Sequence, residues 1–357
     1  MAEGLDGLAA ELASHFEGAG APGSYERVGR ALAALAADEA LTGPVGRAWA
    51  GRSFEASYAR PLLLIASLRY RALGDHDHPL APELLMDADA PDVVARTRAA
   101  LGDPGLEPVL AARAVQTNEP GRAYGWGLPA LVLGLAHRRF ALVDIGCSAG
   151  LNLVVDRTAI AFRIGTRAVS GYDFPSPEAR VGLDRAPIDV TVDDEARWLR
   201  ACIWPGQAER LQRFEACRKV WASPWAGDAP RPELVPHDLA DDHTLATLEA
   251  IADRSGSEST LTFESVVRPY LADAVRASHD EAMWRWLAGG RGRARAILEP
   301  SLEPGRRGST SPMDLVVQLV RGGERVSVVL AQAGYHQAAC LVVPGAPERL
   351  RAAWDAA

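Results

Sequence analysis

The sequence predicts an α/β protein: a mostly parallel sheet with an antiparallel hairpin at its edge, preceded by a helical N-terminal region. Three observations carry this. Phe140 to Ile145 is an apolar run of strand length, followed by the small residues Gly146-Cys147-Ser148-Ala149-Gly150 and a second apolar run, Leu151 to Val155. That order reads as buried strand, tight turn, helix start. Downstream, short apolar runs alternate with helical stretches, as in a parallel sheet covered by helices. Near the end, Arg321-Gly322-Gly323-Glu324 separates two strand-like runs, a hairpin signature. The chain is accordingly divided into a helical region, 1–135, and a sheet domain, 136–357.

The elements follow in order. Leu5, Leu8, Leu12 and Phe16 share one face of a first helix. Ser24 reads as the cap of a second, with Val28, Leu32 and Leu35 on its stripe. Pro61 to Leu68 reads as a buried helix, and Asp75-His76-Asp77-His78-Pro79 as a solvated loop, not a metal cluster. Gln116 to Gly127 is polar and glycine-rich, the composition of a recognition loop; its Asn118, Glu119, Arg122 and Tyr124 are candidate acceptor-side residues. After the glycine turn, a short hairpin around Gly165 is expected, inserted into the sheet domain. Arg180 to Asp184 is a second strand, and Asp193 to about Ala222 is helical with a break at Trp204-Pro205-Gly206, its tryptophans Trp198 and Trp204 read as core. Strands are also expected at Glu233–Asp238, Thr260–Val267, Ala294–Glu299, Asp314–Val320 and Arg325–Ala331. Arg291, Arg293 and Arg295 read as a solvated basic loop. The strand ends then carry Asp144, Asp184, Asp238, Glu264 and Glu299, and ligands of open α/β sheets bind beyond those ends.

Composition excludes several functions. A net charge of −8 leaves no basic face for a nucleic-acid backbone. No apolar run is long enough to span a membrane, and the acidic, amphipathic start is no signal peptide. The four cysteines lie far apart, with no zinc spacing and no secreted disulfide framework, so a reducing cytoplasm is expected and no metal site is assigned.

The turn itself admits more than one chemistry. It lacks the glycine spacing of a dinucleotide fingerprint. Gly146-Cys147-Ser148-Ala149-Gly150 matches the nucleophile elbow G-x-S-x-G, which would make Ser148 a hydrolase nucleophile with His336 or His279 as partner. Asp144-Ile145-Gly146-Cys147-Ser148-Ala149-Gly150 also resembles the first motif of class I S-adenosylmethionine (SAM) methyltransferases. That resemblance implies a Rossmann-like sheet of the class I methyltransferase type and SAM as cofactor. Asp144, Gly146, Ser148, Gly150 and Asn152 would hold the methionine end, Asp184 (or Asp189) the ribose hydroxyls, and Asp238 the adenine.

Over most of its length the chain resembles a bacterial family of uncharacterised proteins, domain of unknown function 2332. The likeness rests on Gln116-Thr117-Asn118-Glu119 with Arg122, the turn through Leu151-Asn152-Leu153, Gly182-Leu183-Asp184 with Pro187-Ile188-Asp189-Val190, and Arg197-Trp198-Leu199-Arg200 with Trp204-Pro205. In this sequence Glu264 stands where relatives often carry a His before the Ser of the fourth strand.

The reading that follows is a SAM-dependent methyltransferase acting on a small molecule. Glu264 is the expected general base, on a strand where burial can raise its pKa; a structural ion pair with Arg122 or Arg268 is the alternative. Tyr270 and Arg122 complete the catalytic set. The acceptor is expected between the helical region and the strand ends, with Asn118, Glu119 and Tyr124 facing Glu264, Ser265 and Tyr270. Ser148 is expected to shape the turn and not to attack substrate. The rivals are the Ser148 hydrolase and a SAM-fold protein that binds without catalysis. Partners beyond the small-molecule acceptor reduce to a second copy of the chain, a homodimer.

Overall fold

Phe140–Ile145 is buried at every residue, which explains why it reads as an unbroken apolar run: a central parallel strand has no wet face. The computed structural model describes residues 5–16, 23–54, 58–225, 231–301 and 313–355. In chain order the helices are α1 (Leu8–Phe16), α2 (Gly23–Ala34), α3 (Glu39–Trp49), α4 (Ala59–Gly74), α5 (Ala81–Met86), α6 (Val93–Leu101), α7 (Leu106–Ala112), α8 (Tyr124–Val132), α9 (Asp193–Ala201), α10 (Ala208–Ala222), α11 (Thr244–Ser255), α12 (Asp273–Ala288) and α13 (Ala346–Asp355). The strands are β1 (Phe140–Ile145), β2 (Ala161–Ile164), β3 (Arg167–Ser170), β4 (Ala179–Asp184), β5 (Glu233–Pro236), β6 (Ser259–Ser265), β7 (Arg293–Pro300), β8 (Met313–Arg321), β9 (Glu324–Ala333) and β10 (Ala339–Val342).

The chain forms two compact units, residues 1–117 with 192–211 and residues 118–191 with 212–357. The helical unit is therefore not a simple N-terminal stretch ending at 135. It recovers α9 from beyond the glycine turn because Arg113 forks to Asp194 and Glu195, at 2.6 Å each, and Trp198 Nε1 donates to the Ala114 carbonyl at 3.1 Å. Trp198 is core, as expected, and Trp204 lies against Tyr25 with ring centroids 5.4 Å apart. Ser24 lies inside the first turn of α2 and is buried, so it is not the cap.

In the sheet unit the ten strands run in the order β3-β2-β10-β9-β8-β7-β6-β1-β4-β5. β5, β4, β1, β6 and β7 are parallel, a doubly wound, Rossmann-like half whose strand order switches sides between β1 and β6. β8, β9 and β10 continue antiparallel from β7. The β8–β9 hairpin turns on Gly322 and Gly323, both at positive φ, as its sequence predicts. The β2–β3 hairpin does not enter the parallel half; it joins the far edge through β10, a four-residue strand the sequence pattern does not reveal.

One face of the parallel half packs Val143, Ile145, Val181 and Leu183 against Leu248, Ile251, Met283, Trp286 and Leu287 of α11 and α12. The other carries α8, close enough that Phe263 occupies the space a Cβ at Gly125 would need. Among the described residues no helix is long and apolar enough to cross a membrane.

Candidate functional site

β1 ends at the switch point, where the glycine turn leaves the sheet. Gly146, Ser148 and Gly150 all have positive φ (76°, 54° and 64°). For Ser148 this left-handed backbone is uncommon, and the neighbourhood holds it firmly. Its N–H donates to Asp184 Oδ2 at 2.8 Å, its carbonyl accepts from the Ile188 N–H at 3.1 Å, and its hydroxyl accepts from Asn118 Nδ2. The polar segment expected near the turn thus reaches it.

The glycines serve packing more than ligand approach. A Cβ at Gly146 would lie 2.6 Å from Val267, and one at Gly150 2.8 Å from Leu234. Val267 is turned onto Gly146 by Val266, whose φ of 57° is an outlier for a β-branched residue and a strain of about 1–3 kcal/mol. Side chains therefore cover both glycines, and neither offers bare backbone to a ligand.

Nor does a full α-helix follow the turn. Leu151–Arg157 is a seven-residue 3-10 helix. The Asn152 carbonyl accepts from Trp126 Nε1 at 3.0 Å and the Leu153 carbonyl from Arg180 Nη1 at 2.5 Å. Those carbonyls are the ones an α-helix would offer to residues 156 and 157.

Asp144 lies on the α8 face of the sheet, in register with Phe263. It is 1% exposed; Asn152 hydrogen-bonds it, yet Asp144 Oδ2 and Asn152 Oδ1 have no hydrogen-bond partner. Burial first, and then the neighbouring Asp184 charge, push its carboxyl up to about 8, so near neutral pH it is mainly a protonated acid that can donate. Asp184 accepts from the backbone N–H groups of Ser148 and Ala186, at 2.8 and 2.9 Å, and so ties the turn to the end of β4. Asp238 accepts from the Ala240 N–H at 3.0 Å and shapes the entry to α11.

Beyond the ends of β4 and β5 lies a cleft of about 400 Å³, lined by Ala149 of the turn, Ile188, Asp189, Val190, Trp221 and Leu234 among others. Asp189, second choice to Asp184 in the sequence, is the carboxylate that lines it. Thr191 takes Asp189 Oδ1 through its N–H and hydroxyl, at 2.9 and 2.6 Å. The apolar wall was missed. Its signal was the alternation Ile188-Asp189-Val190, a strand-end pattern with one polar residue between two apolar ones.

Glu264 departs most from expectation. It registers with Ile145, hence faces α12, on the side of the sheet opposite Asp144. Its carboxylate pairs bidentately with Arg295 at 2.6 and 2.9 Å, and His279 Nε2 lies 3.3 Å from Oε1. Burial acts to raise its pKa, but Arg295 and His279 together hold the carboxyl well below the ordinary range. The raised pKa expected of a general base is therefore not what this environment favours, and the carboxylate is committed to its ion pair. Glu264 does sit in an ion pair, but with neither partner the sequence suggested: Arg122 donates to the Tyr335 carbonyl, and Arg268 binds Asp280 and Glu299. Arg295 is fully buried in β7 and Arg293 pairs with Glu249, so these two are not a solvated loop. The overlooked signal was Arg295 standing alone between alanines in an apolar strand.

The remaining candidates separate. Glu119 is 2% exposed and binds Arg213 Nε and the Gly121 N–H, each at 2.9 Å. Arg122 is buried and donates to the Tyr335 carbonyl at 2.9 Å. The Tyr124 hydroxyl is buried without a hydrogen-bond partner, and burial raises its pKa. Ser265 Oγ is buried and unpartnered on the Asp144 face, whereas Tyr270 is 56% exposed.

These features define a doubly wound α/β protein with a tight glycine turn after its central strand and a cleft beside that turn. The chain belongs to the family described as uncharacterized protein conserved in bacteria (DUF2332), which it matches over residues 10–340. No curated protein matches it.

Proposed function

We propose that the protein is a SAM-dependent methyltransferase for a small molecule, with the nucleoside in the cleft beyond β4 and β5. The observation that carries this reading is the position of the cleft: strand carboxyl ends, beside the turn at Ala149, with mostly apolar walls, one carboxylate, Asp189, and one guanidinium, Arg231. The residues fit a nucleoside better than they fit a cradle on bare glycine. Ile188, Val190, Trp221 and Leu234 would flank the base and Asp189 would accept from ribose hydroxyls, while Asp144 and Asn152 offer unpartnered oxygens on the far side of the turn. The bound cofactor would supply a methyl already activated on its sulfonium. The chain's own task is then to bind and orient the two reactants and exclude water. With Glu264 locked in an ion pair, a protein that binds the nucleoside without transferring a methyl is the nearest rival. The four free cysteines suit a reducing compartment, and on this reading the protein works in the cytoplasm.

Calorimetric titration of the full chain with SAM and with S-adenosylhomocysteine tests the proposal. Both are expected to bind, and Asp189→Ala to weaken binding by about 1.5–3 kcal/mol, the range for hydrogen bonds to a charged group. Asp184→Ala is expected to weaken binding too, but with a lowered melting temperature, because it frees the turn. Absence of binding by folded protein rejects the cofactor.

The hydrolase reading keeps one specific support, the left-handed φ of Ser148, which a nucleophile elbow shares. Against it, the hydroxyl meets the Asn118 amide, and His279 lies on the opposite face beside Glu264. A fluorophosphonate probe is expected to leave Ser148 unlabelled; stoichiometric labelling there would replace the methyltransferase by the hydrolase.

A further inference from the structure

A second cleft of about 400 Å³ lies away from the turn, lined by Asp156, Arg157, Tyr172, Ser176, Val220, Ser223, Pro224 and Trp225. Ser176 precedes β4, and Arg180 registers with Leu142 in the first half of β1, so this cleft sits toward the amino ends of the parallel strands. It is separate from the proposed nucleoside cleft.

Its chemistry is unbalanced in one direction. Asp156 is neutralised by a bidentate pair with Arg180, at 2.6 and 2.7 Å, both side chains almost entirely buried. Arg180 also holds Ser176 Oγ at 3.0 Å. Arg157 has no such partner: its guanidinium lies 4.2 Å from the centroid of the Trp225 ring and makes no hydrogen bond or ion pair with any described residue. Arg157 Nε, Arg180 Nε and Trp225 Nε1 are all buried donors without an acceptor. The nearby acids are otherwise engaged, Asp173 with Ser170 and Glu178 in a loose 3.9 Å pair with Arg139. Among the described residues the site lacks an unengaged acceptor carrying negative charge. Its walls, Trp225, Val220, Pro224 and the 65% exposed Tyr172, offer aromatic and apolar surface for a flat body.

We propose that this cleft binds an oxyanion carried on an aromatic ring, a carboxylate or a phosphate, gripped by the Arg157 guanidinium stacked on Trp225. A planar guanidinium with both edge nitrogens free matches either group bidentately, and its stacking on the indole fixes its direction. The ring of the ligand would rest on Tyr172 and Trp225, where such contacts add to the charge interaction.

The test is calorimetric titration of the full chain with benzoate, phenyl phosphate and benzyl alcohol. Benzoate or phenyl phosphate is expected to bind at least tenfold more tightly than benzyl alcohol, the tighter of the two identifying the oxyanion. Arg157→Gln is expected to abolish that preference without changing the melting temperature. Arg157→Lys, which keeps the charge but not the fork, should retain only part of it. Trp225→Leu should weaken all three probes. Equal affinity for acid and alcohol, an undiminished preference in Arg157→Gln, or no binding of either acid by folded protein would each overturn the proposal.

Discussion

Replacing Arg295 by Met is expected to destabilise the protein by about 3–5 kcal/mol, the range for removing one member of a buried ion pair. Arg295 is fully buried, and its guanidinium is shared among Glu264, Asp280 and Gln318, with Glu264 taking two of the bonds. Without it Glu264, at 0% exposure, keeps His279 as its basic neighbour among the described residues. The carboxylate must then take up a proton or draw water into the α12 face of the sheet. Because the loss comes from a charge left without compensation, removing both charges should restore much of it. The double variant Glu264→Leu, Arg295→Met is therefore expected to be markedly more stable than Arg295→Met alone. Urea unfolding of the three proteins measures this. A single variant within about 1 kcal/mol of the parent would mean that the pair is not buried as described.

The same pair shows where reading from residues to structure stops. Parallel strands were legible because burial on both faces leaves an apolar run, and the β8–β9 hairpin because only glycines readily take two successive positive φ angles. The apolar pattern puts Glu264 on the fourth parallel strand, where the structure has it. Its partner leaves no such mark, because Arg295 is 31 residues away and meets it only through the lateral pairing of β6 with β7. Register decides the face, and with it the chemistry. Asp144 pairs with Phe263 and faces α8, while Glu264, one residue on, faces α12. The helix expected after the turn failed for a similar reason. Trp126 and Arg180, both distant in sequence, take the carbonyls it needed. Long-range competitors of this kind leave no periodic trace. The unit boundary is hidden likewise, since Arg113 reaches 81 residues forward for Asp194. Asn118 and its approach to the turn were legible because amide and carboxylate groups concentrate in a glycine-rich segment just ahead of the central strand.

Asp144→Asn is expected to change the pH dependence of stability by a large amount. An aspartate in an unfolded chain titrates near 3.9. In the folded protein burial and Asp184 push Asp144 up to about 8. Between those values the native state keeps a proton that the unfolded state has released, so it binds more protons and stability falls as pH rises. The parent should lose on the order of several kcal/mol from this residue between about pH 4 and pH 8, at roughly 1.4 kcal/mol for each pH unit crossed. Asparagine has nearly the same shape and no charge to release. It should be close to neutral at the acid end of the window and increasingly stabilising toward pH 8. Glu264 works in the opposite sense, since its folded pKa is depressed and its contribution is lost as pH falls. Only the difference between parent and Asp144→Asn isolates the first effect. Denaturant unfolding of both proteins at pH 5 and pH 8 makes the comparison. Curves whose separation does not grow with pH would show that Asp144 is ionised in the folded state.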